Sequence, residues 1–236
     1  MVRKHSRRNP RQKNGTRKAG KYTAGKGKPI RIGAINKVEM FVSDGGFDFT
    51  FEPIDDSIKM KRTSTGYEAR YIAQDEMPSS PDEMGDTAIS FLVNYHDSFD
   101  VRQPEIVTED EVRRLYQGEK IDVLKDYYAF KIDSYVHSGV RLAFAGEFNG
   151  RLPQGHARFD VSSVGAIFVS KTEVGGGKAK ATKFAQSVIE EWNQYLSGDV
   201  YLVVKETFDK EKRQVNYDVT GGYYGEKYAL ESRNDL

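Results

Sequence analysis

A chain of 236 residues without a single cysteine has no disulfide, no thiolate metal site and no cysteine nucleophile. No run approaches the roughly 18 consecutive apolar residues of a membrane-spanning helix, and the N-terminal residues lack the apolar stretch of a secretory signal, so an intracellular, cytoplasmic protein without a membrane partner is expected. The net charge of +1 conceals an asymmetry: thirteen of the 36 Lys and Arg fall within residues 1–38, which hold no Asp or Glu, leaving 23 cations against all 35 acids in the rest.

Residues 1–36 carry Arg3, Lys4, Arg7, Arg8, Arg11, Lys13, Arg17, Lys18, Lys21, Lys26, Lys28 and Arg31 among Gly, Asn, Ser and Gln. So little apolar surface does not offset the ordering entropy, and a disordered basic arm is expected. Dispersed cations of this kind neutralise phosphates without reading bases, so the arm's expected partner is nucleic acid, bound non-specifically. A merely solubilising extension is the plainer alternative.

The body, residues 37–236, is expected to form one globular domain. VEMFVSD reads as a strand, and Gly45-Gly46 as a turn into FDFTFEP, where Phe47, Phe49 and Phe51 share one face and Asp48, Thr50 and Glu52 the other. YEARYIA, Tyr67 to Ala73, follows as a third strand. After the polar loop Met77 to Asp86, the continuous apolar run TAISFLVNYH suits an inner strand. VTEDEVRRLYQG predicts a helix over 108–117, with Thr108 and Glu111 spaced as a capping box and Arg113 and Arg114 near the end. From Tyr127 to Val169 the chain is β-like again, broken by the loop FNGRLPQGHARFD. Phe184, Val188, Trp192 and Tyr195 then form one apolar stripe of a helix over 178–197. DVYLVVKETFD and RQVNYDVTGG close the order as a hairpin around Asp209 to Lys212. Strands with two segregated helices predict an α+β fold, a single mainly antiparallel β-sheet with two helices behind the arm.

Four stretches of the body, SPDEMGDT leading to Tyr95-His96, YVHSGV, FDVSSVGAIFVSK and EEWNQYLSGDVY with GYYGEKYAL, resemble uncharacterised proteins of bacteriophages, prophages and conjugative elements. The resemblance spans about residues 67–230. It departs from the family pattern at Phe159, where Trp is usual, and at Val161, Ser162 and Ser163. It implies a mobile-element setting, and it implies no reaction.

Candidate chemistry is sparse. His96, His137 and Asp160 could meet, with His156, Asp97, Asp86 and Glu147 nearby, as a metal-assisted hydrolase, but no His-x-x-x-His or His-x-His spacing supports it, and neither a metal nor a cofactor is expected. Ser138, Ser162 and Ser163 lack a nucleophile elbow. GGGKAKATK fails the Walker pattern because Ala179 follows Gly177-Lys178, so a connector is expected there. The acidic runs DEMPSSPDE and VTEDE are interrupted by cations and read as solvated faces. With the setting that the resemblance implies, the leading expectation is a non-enzymatic phage or mobile-element accessory protein that docks on a host or viral macromolecule, its counter-defence role being drawn from that setting alone. The metal-assisted hydrolase and a virion or packaging structural protein are the alternatives.

Overall fold

The computed structural model describes residues 21–22, 46–101, 106–149, 152 and 159–235. In chain order the elements are β1 (Lys21–Tyr22), β2 (Lys59–Thr63), β3 (Gly66–Gln74), α1 (Pro81–Met84), β4 (Ser90–Asn94), α2 (Glu109–Tyr116), β5 (Tyr127–Val136), β6 (Val140–Phe144), β7 (Val161–Ser170), α3 (Lys171–Val174), α4 (Gly177–Leu196), β8 (Val200–Phe208), β9 (Gln214–Tyr224) and α5 (Glu226–Arg233). The α+β class holds. The single sheet with two helices does not: two antiparallel sheets and five α-helices are present among the described residues. The chain divides into two compact units, one formed by Ser79–Gly198 and inserted in sequence between β3 and β8 of the other.

In the inserted unit the strand order is β4-β7-β5-β6. One face buries Leu92, Phe130, Ile132 and Leu142 against Ala185, Val188, Ile189 and Trp192 of α4. The other buries Phe91, Val93, Ala166 and Phe168 against Val112 of α2 and Ile121. Burial on both faces explains the unbroken apolar run in TAISFLVNYH, yet β4 is an edge strand of the ladder rather than an inner one. Gly165 lets it approach: a Cβ there would stand 1.9 Å from the Val93 carbonyl oxygen. The helix over 108–117 forms with its capping box intact, Thr108 accepting from the Glu111 amide while the Glu111 carboxylate accepts from the Thr108 amide.

In the split unit the order is β1-β9-β8-β3-β2. The hairpin expected around Asp209 to Lys212 is present, its turn held by Asp209 Oδ1, which accepts from the amides of Glu211 and Arg213. FDFTFEP is not a strand. Its one β-bridge to the sheet is Pro53 with Ala73, and its three phenylalanines lie on the buried face formed by Tyr71, Leu202, Val204 and Phe208. Phe47 and Phe49 each meet Phe208 edge to face, at 5.1 and 5.2 Å. The alternation was real, but it marks a segment crossing a sheet face. The opposite face packs Ile72, Val203 and Tyr223 against Ala229 of α5. The strand expected in VEMFVSD lies outside the described residues.

Candidate functional sites

Asn94 sets the conformation that follows β4. Its Nδ2 donates to the carbonyls of His96 and Phe99, both at 2.6 Å, and its Oδ1 accepts from the His96 amide at 2.9 Å. In this turn His96 Nδ1 accepts from the Ser98 amide at 3.2 Å and stands 3.3 Å from Oδ1 of the fully exposed Asp97. This engages Nδ1 within its own turn.

His137 lies just beyond β5. The Val136 amide donates to the Asp160 carbonyl at 2.8 Å, and this brings Asp160 Oδ2 to 3.4 Å from His137 Nδ1. Tyr135 stacks on the imidazole with ring centroids 6.0 Å apart. The structure thus joins two of the three candidate residues. His96 is elsewhere on the sheet: Asn94 and Ile132 both register with Gly165 from opposite sides of β7, so the histidines belong to strands roughly 10 Å apart, before an offset of about three residues along them. Among the described residues no three His, Cys, Asp or Glu come together as a metal-binding group. His156 and the twelve arm cations lie outside the described residues, except that the backbone of Lys21 belongs to β1, opposite Asp218.

Ser163 has a structural use. Its hydroxyl donates to Asp133 Oδ1 at 2.9 Å, and Asp133 Oδ2 accepts from the Gly146 amide at 2.7 Å. Asp133 is nearly buried and sits at the register shift between β5 and β7. There the Tyr116 hydroxyl donates across the irregularity, 2.7 Å from the Ile132 carbonyl and 2.9 Å from that of Gly165. Burial holds this phenol well above the usual tyrosine range, with Tyr95 and Asp133 adding to the shift. The group is a strand clamp. Two cations cover the same tyrosines, Arg113 at 4.6 Å over Tyr95 and Lys131 at 5.0 Å over Tyr116. The periodicity of the sequence gave no sign of this cluster, because its members come from five separate segments.

GGGKAKATK forms the entry to α4. Gly176 and Gly177 take left-handed conformations, with φ of +76° and +77°, and no side chain caps the helix. The acidic residues of VTEDE line the first turn of α2, where they complement the helix dipole.

The split unit contains a buried acid that sequence reasoning also missed. Glu206 is fully buried on β8 beneath Thr50, and its Oε1 accepts from the Thr50 amide at 3.0 Å and from Gln214 Nε2 at 3.1 Å. Burial pushes its carboxyl above the ordinary range against the lowering effect of the Thr50, Tyr71 and Gln214 hydrogen bonds. Tyr71, buried beside it, is raised further above its own range by burial and by the Glu206 charge. Glu206 thereby ties the crossing segment to the sheet.

In comparisons with known proteins, no family model, no curated protein and no solved structure matches the chain. No helix among the described residues is long and apolar enough to cross a membrane.

Proposed function

We propose that this chain is a non-enzymatic accessory protein of a bacteriophage or mobile element, acting in the cytoplasm of an infected or element-carrying bacterium. Its body docks on a host or viral macromolecule, and its arm holds nucleic acid through phosphate contacts. Interference with a host defence is one purpose consistent with that setting, which comes from the resemblance of the body to mobile-element proteins. The observation that carries the nucleic-acid reading is the separation of charge: thirteen cations and no acid in residues 1–38 against an acidic remainder. The engagement of His96 within its own turn, apart from His137 and Asp160, weighs against the hydrolase alternative.

The test is duplex-DNA and RNA binding by the full chain and by a variant with its twelve arm cations changed to Gln. Six to ten phosphate contacts would cost about 10³–10⁵ in affinity between 50 and 200 mM salt. The wild type is expected to show that slope and the variant to lose it; equal affinities would remove the reading. For the packaging alternative, mass spectrometry of purified particles would find the protein as a stoichiometric component.

A further inference from the structure

The two faces of the split unit's sheet differ in charge. On the face crossed by the phenylalanines, Glu52, Asp75 and Glu76 line a cleft of about 820 Å³ floored by Ala73, Leu202 and Val219, with no Lys or Arg among its described lining residues. On the other face α5 covers one end, over Ile72, Val203 and Tyr223. Beyond that end, strand alternation sends only polar side chains the same way: Lys59 and Lys61 of β2, Glu68 and Arg70 of β3, Lys205 and Thr207 of β8, Asn216 and Asp218 of β9. Register sets three of the cations in one row. Lys59 stands directly opposite Arg70, and Arg70 directly opposite Lys205, on strands roughly 4.8 Å apart. Like charges in directly opposed positions destabilise a sheet. Glu68 relieves part of this, at 2.6 Å from Lys61 Nζ, 3.0 Å from Arg70 Nε and 3.9 Å from Lys205 Nζ. Lys59 donates to Asn234 Oδ1 and pairs with no carboxylate among the described residues.

We propose that this row, Lys59, Arg70 and Lys205 with Lys61 beside it, binds the phosphate backbone of nucleic acid. Four cations face two acids there, in a body where acids outnumber cations 35 to 23. Sequences keep few such local conflicts, and those they keep concentrate at functional sites. An anion laid along the row removes the repulsion that one carboxylate only halves. The face is a flat sheet rather than a cradle of converging donors, so a linear polyanion fits it better than a single phosphate. Asn216, on the same face, adds a neutral donor of the kind that meets phosphate and sugar. β1 pairs with β9 of this same sheet, so the arm joins the body on the sheet that carries the row. The inference rests on the nucleic-acid reading above and adds to the arm a contact made by the body.

The experiment measures duplex-DNA and RNA affinity against salt for the full chain with its arm unchanged. Lys59→Gln/Lys205→Gln leaves Glu68 its two closest partners and is expected to lower the slope of log affinity on log salt by about 2. Glu68→Gln adds one positive charge to the same face and is expected to bind several-fold more tightly. Opposite signs separate a phosphate contact from damage to the fold, because Glu68→Gln removes ion pairs and yet should gain affinity. Lys178→Gln/Lys180→Gln in α4 and Glu83→Gln in α1 make the same charge changes on the inserted unit and are expected to leave affinity and slope as they are. Face variants that bind like the wild type, or controls that shift by as much, overturn the proposal and leave the arm's role standing. A wild type that binds neither nucleic acid removes both readings. Polyglutamate is the competitor: displacement of nucleic acid at equal charge concentration would assign the row to an acidic protein and overturn the phosphate contact.

Discussion

Asn193 on α4 grips both backbone groups of Leu142 on the edge strand β6, its Oδ1 accepting from the Leu142 amide at 2.7 Å and its Nδ2 donating to the Leu142 carbonyl at 2.9 Å. The side chain replaces the neighbouring strand that β6 lacks on its outer side, and so blunts an edge that could pair with another chain. Asn193→Ala leaves a nearly buried amide and carbonyl without partners. A loss of about 1–3 kcal/mol is expected. Denaturation followed by the fluorescence of Trp192, the only tryptophan and 1 % exposed in this unit's core, measures it. Hydrogen exchange at Leu142 should rise in parallel.

Gly165 is the tightest point between β4 and β7. Because an added Cβ meets backbone, which has nowhere to move, Gly165→Ala is expected to cost about 3 kcal/mol or more and to loosen the Tyr116 clamp on the same residue. The same Trp192 signal reports the shift. A loss below about 0.5 kcal/mol would mean that β4 does not run where it is described.

Glu206 should make the split unit less stable as pH rises. Its folded pKa is raised by burial, so between the unfolded value of about 4.3 and the folded value the native state binds the extra proton, and stability falls through that window. Glu206→Gln removes the titration and keeps an oxygen for the Thr50 amide. The variant is expected to match the wild type near pH 4 and to be more stable at pH 7, as read by calorimetry across the range.

Glu68 carries the opposite sign. Burial raises its carboxyl, but Lys61, Lys205 and Arg70 together outweigh that and hold it below the usual range, with Lys61 Nζ at 2.6 Å and Arg70 Nε at 3.0 Å. Its contribution is present above a pH of about 4.3 and is lost as pH falls through the folded value. Glu68→Gln should cost about 1 kcal/mol at pH 7, and the difference should shrink as pH falls, vanishing below the folded value, where both proteins carry a neutral side chain.

Local chemistry was legible wherever a short segment carried its own reason. Thr108 and Glu111 satisfy each other within one turn, and the Phe184 to Tyr195 stripe needs only the helical period, so both helices lie where their patterns put them. The polar strand KMKRT at Lys59–Thr63 gave no such signal, because it is an edge strand held by pairing with β3, Met60 opposite Ala69. The helix Glu226–Arg233 was missed for a related reason: it buries Ala229 and Arg233 but shows no clean apolar stripe. Of the candidate site residues, the His137–Asp160 contact depends on the backbone bond between Val136 and Asp160, which no spacing in the sequence encodes.

By itself the sequence determined the charge separation between arm and body, the absence of thiol chemistry, the two capped or striped helices and the closing hairpin, because each depends on composition or on residues a few positions apart. Tertiary structure decided what depends on partners distant along the chain. It made the alternating phenylalanines a lid on a sheet rather than a strand, buried Glu206 beneath Thr50, kept His96 from His137, and arranged Glu52, Asp75 and Glu76 around one cleft. Their energies come from burial and from partners separated by tens of residues to, for Thr50 and Glu206, 156, where the sequence pattern is silent until the fold brings them together.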